Sequence, residues 1–267
     1  ATILRNFIDA GGTLIDASPA YAGGRAEGIL GTLLSREVSR TDLVISSAAG
    51  VDPTLPLGRR VDCSRRHLIA SVGFWDGKTP PEEVADTLDY AVRTGRVRYT
   101  GVRGYSGWQL AVTHAAANHA AASARPIVAA QNEYNLLVRR AEEELLPATQ
   151  HLGVGFFAGA PLAQGVLTGK YQSHIPSTSR GANGHRNAEV QGYLDERSLS
   201  IVDALCTAAE GLGISPATTA LVWARDRAGV TAAIVGVRHP EQWNEIIDSE
   251  KVRLPRAILD ALDDISS

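Results

Sequence analysis

The 267-residue sequence predicts an α/β fold built on a parallel sheet, and within that class a (β/α)8 barrel. Three observations carry the prediction. Short β-type runs alternate with helical periodicity along the whole chain, with no long antiparallel run. No self-similarity recurs at the period of a repeat protein. No Gly-x-Gly-x-x-Gly follows any predicted strand, which argues against a Rossmann cofactor site and favours the barrel. A chain of this length that is 44% hydrophobic can bury one large core, so a single domain over residues 1–267 is expected.

The elements follow in order. Ile3, Leu4, Phe7 and Ile8 share a helix face that stops at Gly11-Gly12, and Thr13–Ile15 is a strand ending at Asp16. Tyr21 lies in the next loop, and Gly23-Gly24 opens a helix with Ile29, Leu30, Leu33 and Leu34 on one side. Asp42–Ser47 reads as a second buried strand. Ser64–Val72 begins like a helix and stops at Gly73-Phe74-Trp75-Asp76. The next helix has Thr79 as predicted N-cap, Glu82 closing a capping box, Val84, Leu88 and Val92 on one face, and Gly95 at its end. Further strands are predicted at Val97–Val102, Ile127–Gln131, Val154–Ala158 and Ala232–Val235. Helices are predicted at Ser106–His119, Ala141–Leu152, Leu199–Leu212, Pro216–Arg225, Pro240–Ile247 and Pro255–Ile265. The polar segment Tyr171–Gln191 is longer than a tight connection needs, which marks it as a functional loop.

Net charge −3 and a pI near 6.2 leave no electrostatic footprint for nucleic acid or an anionic membrane. Cys63 and Cys206 stand in no metal or redox spacing, no metal is expected, and both thiols suit a reducing compartment. No apolar run reaches the ~20 residues that span a bilayer, and no basic-then-apolar leader is present. The expectation is a cytoplasmic protein with a small-molecule substrate and no nucleic-acid or membrane partner. Oligomeric state is not legible.

The segment Asp16-Ala17-Ser18-Pro19-Ala20-Tyr21, with Glu27 downstream, resembles the aldo-keto reductase signature. Four later segments resemble the same family in order and spacing. They are Gly95-Arg96-Val97-Arg98-Tyr99-Thr100-Gly101-Val102, Gln131-Asn132-Glu133-Tyr134-Asn135-Leu136-Leu137, Pro161–Tyr171 (PLAQGVLTGKY) and Gly236-Val237-Arg238-His239-Pro240-Glu241-Gln242. The resemblance implies a (β/α)8 barrel of aldo-keto reductase type and NADP(H) as cofactor. It places Asp16 and Tyr21 at the catalytic positions. It gives Gln131 the nicotinamide carboxamide, the Leu162–Lys170 loop with Gly165, Lys170 and Arg180 the pyrophosphate, and Arg238 with Gln242 the adenosine end and its 2′-phosphate. Pyrophosphate needs backbone N–H groups and cations, which these residues can supply. Six strands are predicted where the closed barrel has eight. By the same resemblance the sequence is expected to omit the first strand, ahead of Ala1, and the fourth, between Val72 and Gly73.

Elsewhere the family pattern is broken. Ala48 stands at the position of the lysine that lowers the tyrosine pKa, and Gly73 at that of the histidine that orients the carbonyl. Arg103-Gly104 replaces the Ser-Asn that grips the carboxamide, which places Arg103 among the expected cofactor-binding residues, and Gly159 replaces the aromatic that stacks on nicotinamide. Three readings stay open: an NADP(H)-dependent carbonyl reductase in which Arg103 lends the missing positive charge, a non-redox enzyme (dehydration or cyclisation) using Asp16 and Tyr21, and a non-catalytic binding or regulatory barrel. Reduction of simple aldehydes is expected to be slow in any case, because the lost groups act as a unit.

Overall fold

The computed structural model of the protein describes residues 2–18, 21–36, 38–47, 74–120, 127–184 and 187–267. The predicted Ser64–Val72 helix, Ala48, Cys63 and Gly73 lie outside these residues. Six strands and ten α-helices are described, in two compact units. The first takes in residues 1–131 and 144–155, the second residues 132–143 and 156–267.

In the first unit, α1 (Thr2–Asp9) leads into β1 (Leu14–Ala17), a 3₁₀ turn at Tyr21–Gly24 leads into α2 (Ala26–Arg36), and β2 (Val44–Ser47) pairs parallel with β1. After α3 (Pro81–Arg93), β3 (Thr100–Arg103) and α4 (Gly107–Ala120), β4 (Ile127–Glu133) pairs parallel with β3, opposing Arg103 to Gln131. Helix α4 packs between α3 and α5 (Leu145–Leu152) over a core that includes Leu88, Leu110, Ile127, Ala130 and Leu145.

The second unit holds β5 (Gly155–Gly159), α6 (Asn187–Gln191), α7 (Glu196–Leu212), α8 (Pro216–Arg225), β6 (Val230–Ile234), α9 (Pro240–Ser249) and α10 (Arg256–Ser266). β6 pairs parallel with β5. Ala217 through Ala224 of α8 are all buried, the pattern of a helix with no solvent face. Trp223 of this helix stacks on Tyr134 at 5.5 Å, and Arg139 and Arg227 lie over its ring at 5.4 and 5.2 Å. The Trp223 indole N–H donates to Asp263, which also pairs with both arginines. The parallel pairing and α/β order match expectation, and no closed barrel is formed among the described residues. No single helix among them is long and apolar enough to cross a membrane.

Three predicted boundaries are corrected. Thr79 is not an N-cap: α3 starts at Pro81, because Pro80 is held extended by the proline after it. The Thr79 hydroxyl donates instead to Asp76 Oδ2 at 2.9 Å. The strand predicted from Val97 begins at Thr100, because Gly95 and Arg96 donate to Val92 O and Ala91 O in a Schellman motif that closes α3. Finally, the helix predicted from Ala141 starts at Leu145, since Glu144 turns aside to accept the N–H groups of Gly107 and Trp108 at the start of α4. The long polar segment is also less open than expected. Tyr171 is buried and its hydroxyl accepts the Gly181 N–H at 3.2 Å, and residues 180–182 form a 3₁₀ turn ahead of α6.

Candidate active site

In the first unit, Asp16, Tyr21 and Arg103 meet through side-chain hydrogen bonds, and Gln131 lies opposite Arg103 in the β3–β4 register. Ala48, expected at the same end, lies outside the described residues. Asp16 lies in β1, and its two carboxylate oxygens are both engaged. Tyr21 donates to Oδ2 at 3.1 Å, and Ser46 at the end of β2 donates to Oδ1 at 3.1 Å. Arg103, the last residue of β3, donates from Nη1 to the Tyr21 hydroxyl oxygen at 3.1 Å. The phenol is therefore held on one side by an anion that accepts its proton and on the other by a cation that donates to its oxygen. The Arg103 guanidinium also lies over the Tyr21 and Phe74 rings, 5.8 Å from each centroid. Phe74 reaches it because residue 104 is glycine. A Cβ at Gly104, at φ +66°, would stand 2.6 Å from the Phe74 ring.

Burial pushes the Tyr21 phenol above its ordinary value of 10; Arg103 pulls the other way, and Asp16 adds to the rise. The resemblance leads one to expect a cation that carries the tyrosine pKa down, whereas here desolvation outweighs it. A phenol in this state is protonated at neutral pH and can give a proton. Gln131 is buried beside Arg103, its backbone oxygen accepting the Gly104 N–H at 3.0 Å, and its side chain makes no hydrogen bond among the described residues.

In the second unit, the loop after β5 carries Leu162, Gly165 and Lys170. Five residues in it have left-handed backbone: Ala160 (φ 47°), Ala163 (45°), Gln164 (57°), Gly165 (96°) and Gly169 (77°). For the three that are not glycine such a conformation costs roughly 1–2 kcal/mol each, and strain of this kind concentrates at ligand clamps. Successive N–H groups in such turns form anion-binding concavities. The Lys170 ammonium fills the space that glycine leaves at 165, where a Cβ would lie 2.6 Å from Nζ, and it sits 5.2 Å from the Tyr171 ring centroid. Arg180 donates to Gln164 Oε1 at 2.7 Å. Partial desolvation lowers the Lys170 pKa, and the Arg180 and Arg238 charges lower it further against Tyr171. Neither Lys170 nor Arg238 has an ion-pair partner among the described residues. Arg238 precedes α9, where its own N–H donates to the Gln242 side chain at 2.9 Å. The Arg180 and Arg238 charges that act on Lys170, beside a strained backbone turn, suit a polyanion. The donor set therefore fits the diphosphate and 2′-phosphate of NADP(H).

Sequence reasoning missed Ser46, Phe74 and Gln164. Ser46 has a weak signal in its place at a strand end beside Ser47. Phe74 and Gln164 have none, since each acts through a partner distant in sequence.

The model of the aldo/keto reductase family matches residues 69–267. The chain belongs to that family. Membership brings the (β/α)8 barrel class and an aldo-keto reductase-like function on a small-molecule substrate. Among its relatives, the L-glyceraldehyde 3-phosphate reductase of Escherichia coli K12 is 34% identical over 274 residues, covering 92% of this chain and 77% of that protein. An uncharacterized oxidoreductase of Bacillus subtilis is 33% identical over 190 residues, 71% of this chain and 55% of that protein. A probable voltage-gated potassium channel subunit beta of Arabidopsis thaliana is 31% identical over 266 residues, 91% and 79%. The first of these aligned stretches is longer than this chain, so that relative carries residues with no counterpart here. The relatives are named both as reductases and as a channel subunit, so kinship alone does not decide between catalysis and binding.

Proposed function

We propose that the chain is an NADP(H)-dependent carbonyl reductase of one cytoplasmic (β/α)8 domain, residues 1–267, in which Tyr21 is the proton donor. The observation that carries this reading is the chain of hydrogen bonds Asp16–Tyr21–Arg103, which supplies a cation to the phenol although Ala48 stands at the family's lysine position. NADPH, when bound, supplies the hydride that ends on the carbonyl carbon. The Tyr21 O–H bond breaks as its proton passes to the carbonyl oxygen, and Arg103 stabilises the phenolate that results. Asp16 orients the phenol, and Ser46 holds Asp16 in place. Gln131 offers its unengaged amide to the carboxamide of the cofactor. Leu162, Gly165, Lys170 and Arg180 receive the diphosphate, and Arg238, in a turn braced by Gln242, receives the 2′-phosphate.

Gly73 and Gly159, where the family has histidine and an aromatic, leave the carbonyl and the nicotinamide less firmly placed, so simple neutral aldehydes are slow substrates. The test is NADPH consumption with a panel of aldehydes and ketones by wild type, Tyr21→Phe and Arg103→Gln. Each substitution should reduce turnover by a factor of about 10² or more. Turnover that survives Tyr21→Phe would overturn the assignment, and a wild type that binds NADPH without oxidising it would favour the non-redox or binding readings.

A further inference from the structure

Arg103 has donors to spare. Only Nη1 is engaged, on the Tyr21 hydroxyl, and no carboxylate pairs with the guanidinium among the described residues. The two neighbouring rings hold the group by cation–π contact, and ring faces take up none of its remaining N–H bonds. Those bonds lie in the same plane as Nη1, a fork that matches the two oxygens of a carboxylate. Any carbonyl oxygen that takes the Tyr21 proton therefore lies beside guanidinium donors that the described residues leave unengaged.

We infer that Arg103 makes this protein selective for carbonyl compounds that carry a carboxylate on or next to the carbonyl carbon, 2-oxo acids and short semialdehyde acids. The distance constraint is narrow. The Tyr21 oxygen is 3.1 Å from Nη1, and the free donors belong to the same small planar group, so the acid must sit within one or two bonds of the reacting carbon. The substrate's negative charge also partners a cation that has no ion-pair partner among the described residues, which a neutral aldehyde cannot do. This assignment rests on the reductase reading for its chemistry, but not for its binding half.

The experiment separates the two. Oxamate, a carboxylate that cannot be reduced here, is titrated calorimetrically into wild type, Arg103→Gln, Arg103→Lys and Tyr21→Phe, with and without NADPH. Turnover of benzoylformate is compared with that of its methyl ester. Wild type should bind oxamate and prefer the acid to the ester by about tenfold or more in kcat/KM. Arg103→Gln should lose about tenfold or more of the oxamate affinity, and Arg103→Lys should recover part of it. Tyr21→Phe should keep most of the oxamate affinity while losing turnover. Oxamate affinity unaffected by Arg103→Gln, or equal turnover of acid and ester by wild type, would overturn the inference while leaving the reductase reading intact. Displacement of oxamate by inorganic phosphate at much lower concentration would overturn the carboxylate assignment in favour of a phosphate ester. Absence of NADPH oxidation with oxamate binding retained would sink the reductase reading and leave the receptor standing.

Discussion

Gly165 offers a sharp test of the cofactor loop, because one added methyl should act there in two separable ways. Its backbone stands at φ +96°, and a Cβ would lie 2.6 Å from Lys170 Nζ and 3.1 Å from Cε. In Gly165→Ala the backbone strain should cost about 1–2 kcal/mol of stability, read from urea denaturation. The close contact should also drive the Lys170 ammonium off its position, since the end of a flexible side chain moves more readily than the loop. Lys170 is proposed to make a charge-assisted contact with the cofactor, worth about 1.5–3 kcal/mol. Its displacement should weaken NADPH by a factor of about 10–100 in a fluorescence titration. Lys170→Met removes the same contact without touching the backbone, so it should weaken NADPH by a similar factor and leave stability nearly unchanged. The double variant should bind no more weakly than Lys170→Met alone, because the methyl then has no ammonium to displace. Fully additive losses, or undiminished affinity in Gly165→Ala, would refute the argument.

Arg238→Ala should weaken NADPH by about tenfold or more and NADH little, because NADH lacks the phosphate that the guanidinium would pair with; equal weakening in parallel titrations would exclude Arg238 as the 2′-phosphate reader. Asp263→Asn removes one of the two carboxylates that Arg139 and Arg227 share, leaving Glu142, and at these half-buried side chains the loss should be about 1.5–3 kcal/mol in urea melts. Burial pushes the Glu142 carboxyl up, but hydrogen bonds from Arg139 and Tyr134, with the Arg139 and Arg227 charges, bring it below its ordinary 4.5. The unfolded chain therefore takes up this proton first, so the stabilisation is complete above pH 4.5 and disappears as pH falls through the lowered value. Glu142→Gln should flatten that acid limb, which urea melts between about pH 6 and pH 3 can follow.

The polypeptide's local chemistry sufficed where an element is set by neighbours in sequence. Pro216–Arg225 has the predicted ends because Ser215 caps the Thr218 N–H and Pro216 occupies the first turn. The Asp16 to Tyr21 pair was legible for a similar reason, since a separation of five positions suffices to bring the phenol onto its own strand's carboxylate. Where the sequence misled, a residue had a stronger use elsewhere. Glu144 caps α4 instead of extending its own helix, and Val97 follows a helix stop that consumes the residues before the strand.

What only the tertiary structure decided is the company Tyr21 keeps. Arg103 lies 82 positions away, and whether its guanidinium meets the phenol depends on how β3 is placed against β1, with glycine at 104 making room for Phe74. The direction of the Tyr21 pKa was likewise beyond composition and spacing, because it is the difference between desolvation and two opposing charges at fixed distances. A motif names the groups that can react. Packing decides how dry they are and which charge stands beside them, and at short range in a partly dry site those two quantities set the chemistry.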